Sequence, residues 1–135
     1  MKEGTKEYLS KYRLERAEER LKISKELLDL GHFADSLSKS YYAMFSAAKA
    51  LLALRELDSS RHSGVLSLFN RYFVKEGLFS KESSRLLSEA KIEREEADYE
   101  DFVTVTEEDA KHQLKNAIKF VREAQEVLGK IIKEK

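Results

Sequence analysis

The chain has 135 residues, its 25 Lys and Arg residues are balanced by 25 Asp and Glu residues, and it contains neither cysteine nor proline. This composition excludes a disulfide framework and a thiolate metal site, and a net charge of zero gives no global field that would attract a polyanion. No apolar run approaches the roughly 20 residues that a membrane span needs, and the N-terminal segment lacks the apolar core of a signal peptide. We therefore expect one cytoplasmic domain over residues 1–135. The high charge content, with few Asn and Gln, is typical of a thermophile.

Five segments with helical spacing of apolar residues predict an all-α, up-and-down antiparallel bundle of about five helices. Their predicted bounds are about 6–30, 33–54, 61–75, 81–96 and 106–132. Gly31 and Gly77 are predicted to end helices in the left-handed conformation. Ser80 is predicted to cap the fourth helix, and Thr106 with Asp109 resembles a capping box for the fifth. For the third helix, the acidic and serine residues at 58–60 are the N-cap candidates.

The second segment is predicted to be the central helix. One face carries apolar residues at intervals of three or four, and small residues occupy much of the rest, so neighbouring helices can approach closely. The apolar positions are Phe33, Leu37, Tyr41, Met44, Ala48 and Leu51. Tyr42, Phe45 and Phe69 are predicted to lie on an exposed side, where this much aromatic surface favours a twofold homodimer.

Several charged residues are assigned no site role. Arg13, Arg16 and Arg20 repeat along the first helix, and we interpret them as a solvated face that pairs with nearby glutamates. His32 and His112 are interpreted as structural or solvated.

The loop after the central helix contains the candidate catalytic residues. His62 is predicted at the first turn of the third helix, where the positive helix end and Arg61 both disfavour the imidazolium and should lower its pKa. A neutral imidazole can take a proton from a hydroxyl group. Arg55 is predicted to reach the same region and bind phosphate oxygens. The alternative interpretation is that His62 only caps a helix and both arginines are solvated, an arrangement that is common.

Other kinds of catalytic site are not indicated. The sequence contains no P-loop, no dinucleotide fingerprint and no HExxH motif. Its carboxylates are spaced as on a helix surface, and no pair of Glu-x-x-His motifs occurs. We therefore predict no metal site and no cofactor.

Three motifs in the same order resemble the HEPN domain, in a subgroup of small stand-alone bacterial and archaeal proteins. They are SYYAMFSAAKALL, RHSGVLSLFNRYFVKEG and REEADYEDF. The resemblance extends from about residue 31 to the end of the fifth helix, and it implies an all-α up-and-down bundle. Many HEPN proteins carry an Arg, four to six residues and then a His, and act as metal-independent ribonucleases. Here ELDSSR, six residues, separates Arg55 from His62, with the polar Glu56 after the Arg.

The resemblance implies two alternative functions. The first is action on RNA or nucleotides by Arg55 and His62, with a homodimer bringing two such sets to a shared cleft. The second is a non-catalytic, substrate-binding partner of a separate small nucleotidyltransferase, in a pair similar to a toxin and its antitoxin. One toxin subgroup carries a Tyr two residues after the His, where this chain has Gly64. That departure counts against the tyrosine modification and toxin-type activity of the subgroup.

A further exposed motif consists of Arg94 with Asp98 and Tyr99. The structural interpretation is that Arg94 pairs with a carboxylate and Tyr99 anchors the connection to the fifth helix. The functional interpretation is that Arg94 and Tyr99 border the same pocket as His62. Together with Arg61 they are the candidate substrate-binding residues.

Overall fold

The structure is a computed structural model that describes residues 3–99 and 103–133. It contains five α-helices in these ranges, and no strand: α1 (Glu3–Asp29), α2 (Phe33–Leu54), α3 (His62–Phe69), α4 (Lys81–Tyr99) and α5 (Glu107–Lys133). A π-helical segment, Asn70–Val74, continues directly from α3. The prediction of an all-α bundle of five helices is confirmed. None of the described helices is both long enough and apolar enough to cross a bilayer.

The central position of α2 is confirmed, because it packs against each of the other four helices. Tyr41 and Met44 on α2 are fully buried, and the core around them includes Phe73 and Phe120. Small residues allow α1 to approach α2 closely. Ser24 of α1 donates to the carbonyl oxygen of Ser36 on α2 at 2.8 Å, and the Ser36 hydroxyl donates to the carbonyl oxygen of Ser24 at 2.8 Å.

The predicted helix ends are largely confirmed. Gly31 and Gly77 have φ angles of +83° and +79°, a conformation that glycine adopts without a steric penalty. The Thr106 amide donates to Asp109 at 3.0 Å and the Asp109 amide donates to the Thr106 hydroxyl at 3.1 Å, which is a capping box. The Ser80 hydroxyl accepts from the Ser83 amide at 3.1 Å and therefore caps α4.

Three predictions were wrong in detail. Residues 58–60 do not cap α3, because its N-cap position is Arg61, which makes no side-chain cap. Phe69 is not on an exposed side: it is 1% exposed and its ring lies 4.9 Å from that of Phe79. Arg13 and Arg20 are not simply solvated, since they donate to the Lys49 carbonyl oxygen and the Ser46 hydroxyl of α2.

Candidate functional site

His62 is the first residue of α3, and a short loop after α2 brings it there. Within the loop, Asp58 accepts from the Ser59 amide at 2.8 Å, and the Ser59 hydroxyl accepts from the Arg61 amide at 3.2 Å. Lys49 of α2 pairs with Asp58 at 3.4 Å, with Arg13 of α1 also near at 3.9 Å. Burial opposes ionisation of Asp58, but the Ser59 amide, Lys49 and Arg13 outweigh it and lower the pKa of this carboxyl group. An ionised Asp58 thus ties the loop to α1 and α2.

The half-buried imidazole of His62 lies against the aromatic residues of α2. It stacks on the Phe45 ring, with 4.2 Å between ring centroids, and meets the Tyr42 ring edge-on at 5.9 Å. Its Nδ1 atom is 2.9 Å from the hydroxyl oxygen of Tyr41. Burial raises the pKa of the Tyr41 hydroxyl far above its ordinary value, so this group stays protonated near neutral pH. A third ring, that of Tyr41, stacks at 5.8 Å between centroids, so three ring contacts and one hydrogen bond fix the orientation of the imidazole.

Two cations of α4, Arg94 and Lys91, lie near His62. The Arg94 guanidinium is 5.1 Å from the Tyr42 ring centroid and 5.9 Å from that of Tyr99, distances at which a cation interacts with an aromatic face. Arg94 also pairs with Asp98 at 3.0 Å, and Lys91 pairs with Glu95 at 2.5 Å. The structural interpretation of Arg94 is thus right about its carboxylate partner. Tyr99, in contrast, is the last residue of α4 and 75% exposed, so burial does not anchor it.

These side chains border an open pocket of about 790 Å³ between α2, α3 and α4. Its lining consists of Tyr42, His62, Ser63, Lys91, Ile92, Arg94, Glu95, Glu96 and Tyr99. A smaller pocket of about 490 Å³ is also lined by His62, together with residues that include Phe45, Lys49 and Asp58. His62 is common to both pockets, so a ligand in either one meets the imidazole.

The pKa of His62 is lowered, as the sequence predicted, although the causes differ. Burial is the largest cause, followed by the nearby charges of Arg94 and Lys91, and Glu95 acts in the opposite direction. The imidazole is therefore largely neutral near pH 7. When Nδ1–H donates to the Tyr41 oxygen, Nε2 carries the lone pair and can accept a proton. Nε2 has no partner among the described residues.

The other two predicted arginines lie apart from the pocket around His62. The exposed Arg55 is the C-cap residue of α2, and its guanidinium lies 5.7 Å from the Phe73 ring centroid. Arg61 precedes His62 in the chain and is exposed, and it lines neither pocket. Within one chain, the structure brings together His62, Arg94 and Tyr99, and it does not bring Arg55 or Arg61 to them.

No group of three or more His, Asp or Glu residues that could hold a metal ion occurs within residues 3–99 and 103–133. His32 and His112 are both exposed, and His112 lies 3.3 Å from the Asn116 side chain.

The chain is similar to known proteins over most of its length. The family model for the HEPN domain matches residues 10–127. The chain belongs to the HEPN domain family. Two Methanocaldococcus jannaschii proteins, both named "Putative toxin", are 34% identical over 119 residues and 31% identical over 115 residues. These matches cover 88% of this chain and 88% of the first relative, and 85% of this chain and 78% of the second. A Thermotoga maritima UPF0332 protein is 36% identical over 116 residues, which are 86% of this chain and 88% of the relative.

Gly64 marks a local difference from the HEPN subgroup that carries a Tyr at this position. A Cβ atom built on Gly64 would collide with the Ser59 side chain, whose own Cβ would be only 2.9 Å away. The loop before α3 therefore fills the space that a side chain at position 64 would need.

The sequence did not single out several residues that surround His62 in this candidate site. The pattern of apolar residues places Tyr41 in the core and places Tyr42 and Phe45 on a dimer surface. It indicates no role for Lys91. One signal was available in the sequence, because Tyr42, Phe45 and Lys49 are spaced i, i+3 and i+7 and so share one face of α2, which the structure leaves half-exposed. Lys91 precedes Arg94 by three residues on α4 and so lies on the same helix face.

Proposed function

We propose that this HEPN protein is a metal-independent endoribonuclease in which the His62 imidazole accepts the proton of the attacking hydroxyl group. The observation that carries this proposal is the geometry of the imidazole: Nδ1 is held 2.9 Å from the buried Tyr41 hydroxyl, and His62 lines an open pocket together with Arg94 and Lys91. The word toxin in the names of two relatives supports an activity harmful to a cell, such as RNA cleavage.

The proposed reaction uses the 2′-hydroxyl of RNA as nucleophile. Nε2 of His62 takes the proton from this hydroxyl, and the 2′-oxygen forms a bond to the adjacent phosphorus. The bond from phosphorus to the 5′-oxygen breaks, and that oxygen receives a proton from the imidazolium or from water. The products are a 2′,3′-cyclic phosphate and a 5′-hydroxyl. In the tautomer in which Nδ1–H donates to the Tyr41 oxygen, this hydrogen bond persists throughout, and the imidazole keeps one orientation while Nε2 gains and loses its proton.

The cations would stabilise the phosphate during this reaction. Arg94 and Lys91 lie beside His62 in one chain, and the exposed Tyr99 ring offers a surface on which a base can stack. Arg55 and Arg61 would serve from a second protomer. A twofold homodimer around the half-exposed Tyr42 and Phe45 would bring them to a shared cleft.

The test uses purified protein with single-stranded and structured RNA in EDTA, beside a His62→Ala variant and a His32→Ala control. The wild type and the control should cleave, and the His62→Ala rate should fall about 10²–10⁴-fold, the usual cost of losing a positioned acid–base group. The cleaved ends should be 2′,3′-cyclic phosphates. Cleavage that survives His62→Ala, or that EDTA abolishes, contradicts the proposal.

The position of Arg55 favours a second candidate function. Since the guanidinium of Arg55 lies over Phe73 and not at His62, a single chain lacks the complete Arg/His pair. The protein would then bind RNA or a nucleotide at the pocket that Lys91 and Arg94 line, without cleaving it, and present it to a separate nucleotidyltransferase. The cleavage assay distinguishes the two functions, because the binding function predicts no cleavage under any condition. It also predicts association with a nucleotidyltransferase, which a separate binding measurement would detect.

A further inference from the structure

A second concave surface lies on a different side of the bundle. A groove of about 1070 Å³ follows α5 from Lys111 to Lys130, with α1 contributing to its wall, and none of its residues lines the two pockets at His62. Its apolar residues are Leu28, Leu78, Leu114, Ile118 and Val127. Leu78 is 36% exposed and Ile118 is half-buried. Leu28, Leu114 and Val127 are at most 7% exposed, so Leu78 and Ile118 supply the apolar contacts that a ligand can reach.

The charges around the groove have one dominant sign. Six of its residues are Lys or Arg and two are Glu, in a chain whose net charge is zero. One of the two, Glu123, already accepts hydrogen bonds from Ser80 and Ser83 at the start of α4. Three of the six cations, Lys25, Lys111 and Lys119, already pair with carboxylates outside the groove. The other three, Lys115, Arg122 and Lys130, have no ion-pair partner within residues 3–99 and 103–133. The rim thus carries positive charges that a ligand can pair.

We propose that this groove binds an acidic amphipathic helix of a partner protein. The 19 residue steps from Lys111 to Lys130 along α5 correspond to roughly 28 Å, the length of a helix of about five turns. Apolar side chains at i, i+3 or i+4 and i+7 would contact the apolar residues of the groove, and flanking Asp or Glu residues would pair with the rim. This inference is independent of the proposed nuclease function.

The same features disfavour two other occupants. A second copy of the chain in twofold contact would place each cationic rim against an identical one, and like charges facing each other oppose association. An RNA strand would pair its phosphates with the rim, but its backbone has no apolar groups for Leu78 and Ile118. Only an acidic ligand with an apolar face matches both parts of the groove.

The test measures binding of a designed, fluorescently labelled 20-residue helical peptide with a Leu stripe flanked by Glu. A first control peptide replaces every Leu by Ser, and a second replaces every Glu by Lys. The protein variants are Lys115→Glu/Arg122→Glu for the rim and Leu78→Ser for the apolar part. Lys11→Glu/Arg71→Glu makes the same charge change at exposed residues outside the groove. Circular dichroism confirms that every variant is folded, and an RNA 20-mer serves as a competing probe.

We expect saturable binding of the acidic peptide alone, weakened at least about tenfold by Lys115→Glu/Arg122→Glu and about threefold or more by Leu78→Ser. The Lys11→Glu/Arg71→Glu control should bind like the wild type. Three outcomes overturn the proposal. One is no saturation by about 1 mM peptide, and another is equal binding of the Leu-to-Ser peptide. The third is RNA binding that Lys115→Glu/Arg122→Glu abolishes and Leu78→Ser leaves intact, which would make the groove an RNA site.

Discussion

The hydroxyl of Tyr41 lies 2.9 Å from Nδ1 of His62, and this contact joins a fully buried residue of the central helix to the imidazole at the start of α3. The geometry of the candidate site therefore depends directly on the packing of the core. A change at Tyr41 affects both, and the two effects can be measured separately.

Tyr41→Ala should lower the free energy of unfolding by roughly 3–5 kcal/mol, because it removes a large, fully buried ring and leaves a cavity. Urea unfolding followed by circular dichroism measures this loss. Tyr8→Ala is the matched control: Tyr8 is 73% exposed, and its truncation should change the free energy of unfolding by less than about 0.5 kcal/mol. A loss under about 1 kcal/mol for Tyr41→Ala would contradict its place in the core.

His62 should make stability depend on pH. Its pKa is lowered in the folded state, so between that pKa and the ordinary value near 6.5 the unfolded state binds more protons. The free energy of unfolding should therefore increase as the pH rises through this window. The same stabilisation is lost when the pH is lowered from about 6.5 towards the pKa of the folded state. Urea unfolding from about pH 5 to about pH 7.5 should show this rise in the wild type and a smaller one in His62→Gln. Parallel curves would mean that the imidazole is not buried.

Two neighbouring charges should shift the pKa of His62 in opposite directions. Arg94 lowers this pKa and Glu95 raises it. Arg94→Gln should therefore raise the pKa of His62, and Glu95→Gln should lower it, because each change removes one charge near the imidazole. Both are read from the NMR titration of the imidazole carbon-bound protons. The wild type is the reference for both variants. Equal titration of His62 in all three would contradict the described contacts.

A shared cleft predicts complementation between two inactive variants. Arg55→Ala and His62→Ala should each be inactive alone, and mixed dimers should contain one cleft with both residues intact. Random exchange of subunits would then restore about a quarter of the wild-type cleavage rate, because half of the dimers are mixed and each has one intact cleft of two. Cleavage of RNA in EDTA after co-refolding measures the recovery. No recovery, or a monomer mass in light scattering, would exclude the composite cleft.

The helices could be predicted from the sequence because their signals are local. The spacing of apolar residues reports which face of a helix is buried, and a Gly with positive φ or a Thr–Asp capping box acts within one turn. Thus Gly31 and the Thr106–Asp109 pair are found where the pattern placed them. The exception is Phe69, which ends the eight-residue α3 just before the π-helical turn. So short a helix defines its buried face poorly.

The candidate site was only partly predictable because its contacts join residues far apart in the chain. His62 was identified, and so was the direction of its pKa shift, but the causes lie on α2 and α4 and carry no local signal. Arg55 illustrates the opposite case. It is seven residues from His62, yet Glu56, which follows it, has a φ of +56°, and the guanidinium of Arg55 lies over Phe73. Nearness in sequence did not place the two side chains together.

The collision between Ser59 and a side chain at position 64 links two positions in evolution. A lineage that acquired a Tyr at position 64 would first have to rebuild the loop from Ser59 to Arg61. In this loop the Arg61 amide donates a hydrogen bond to the Ser59 hydroxyl, and this bond shapes the start of α3. Neither change is favourable alone. A Tyr at position 64 with the present loop would overlap the Ser59 side chain, and a rebuilt loop with Gly64 retained would leave a gap. The two residues should therefore be replaced together in related proteins, as one inherited unit.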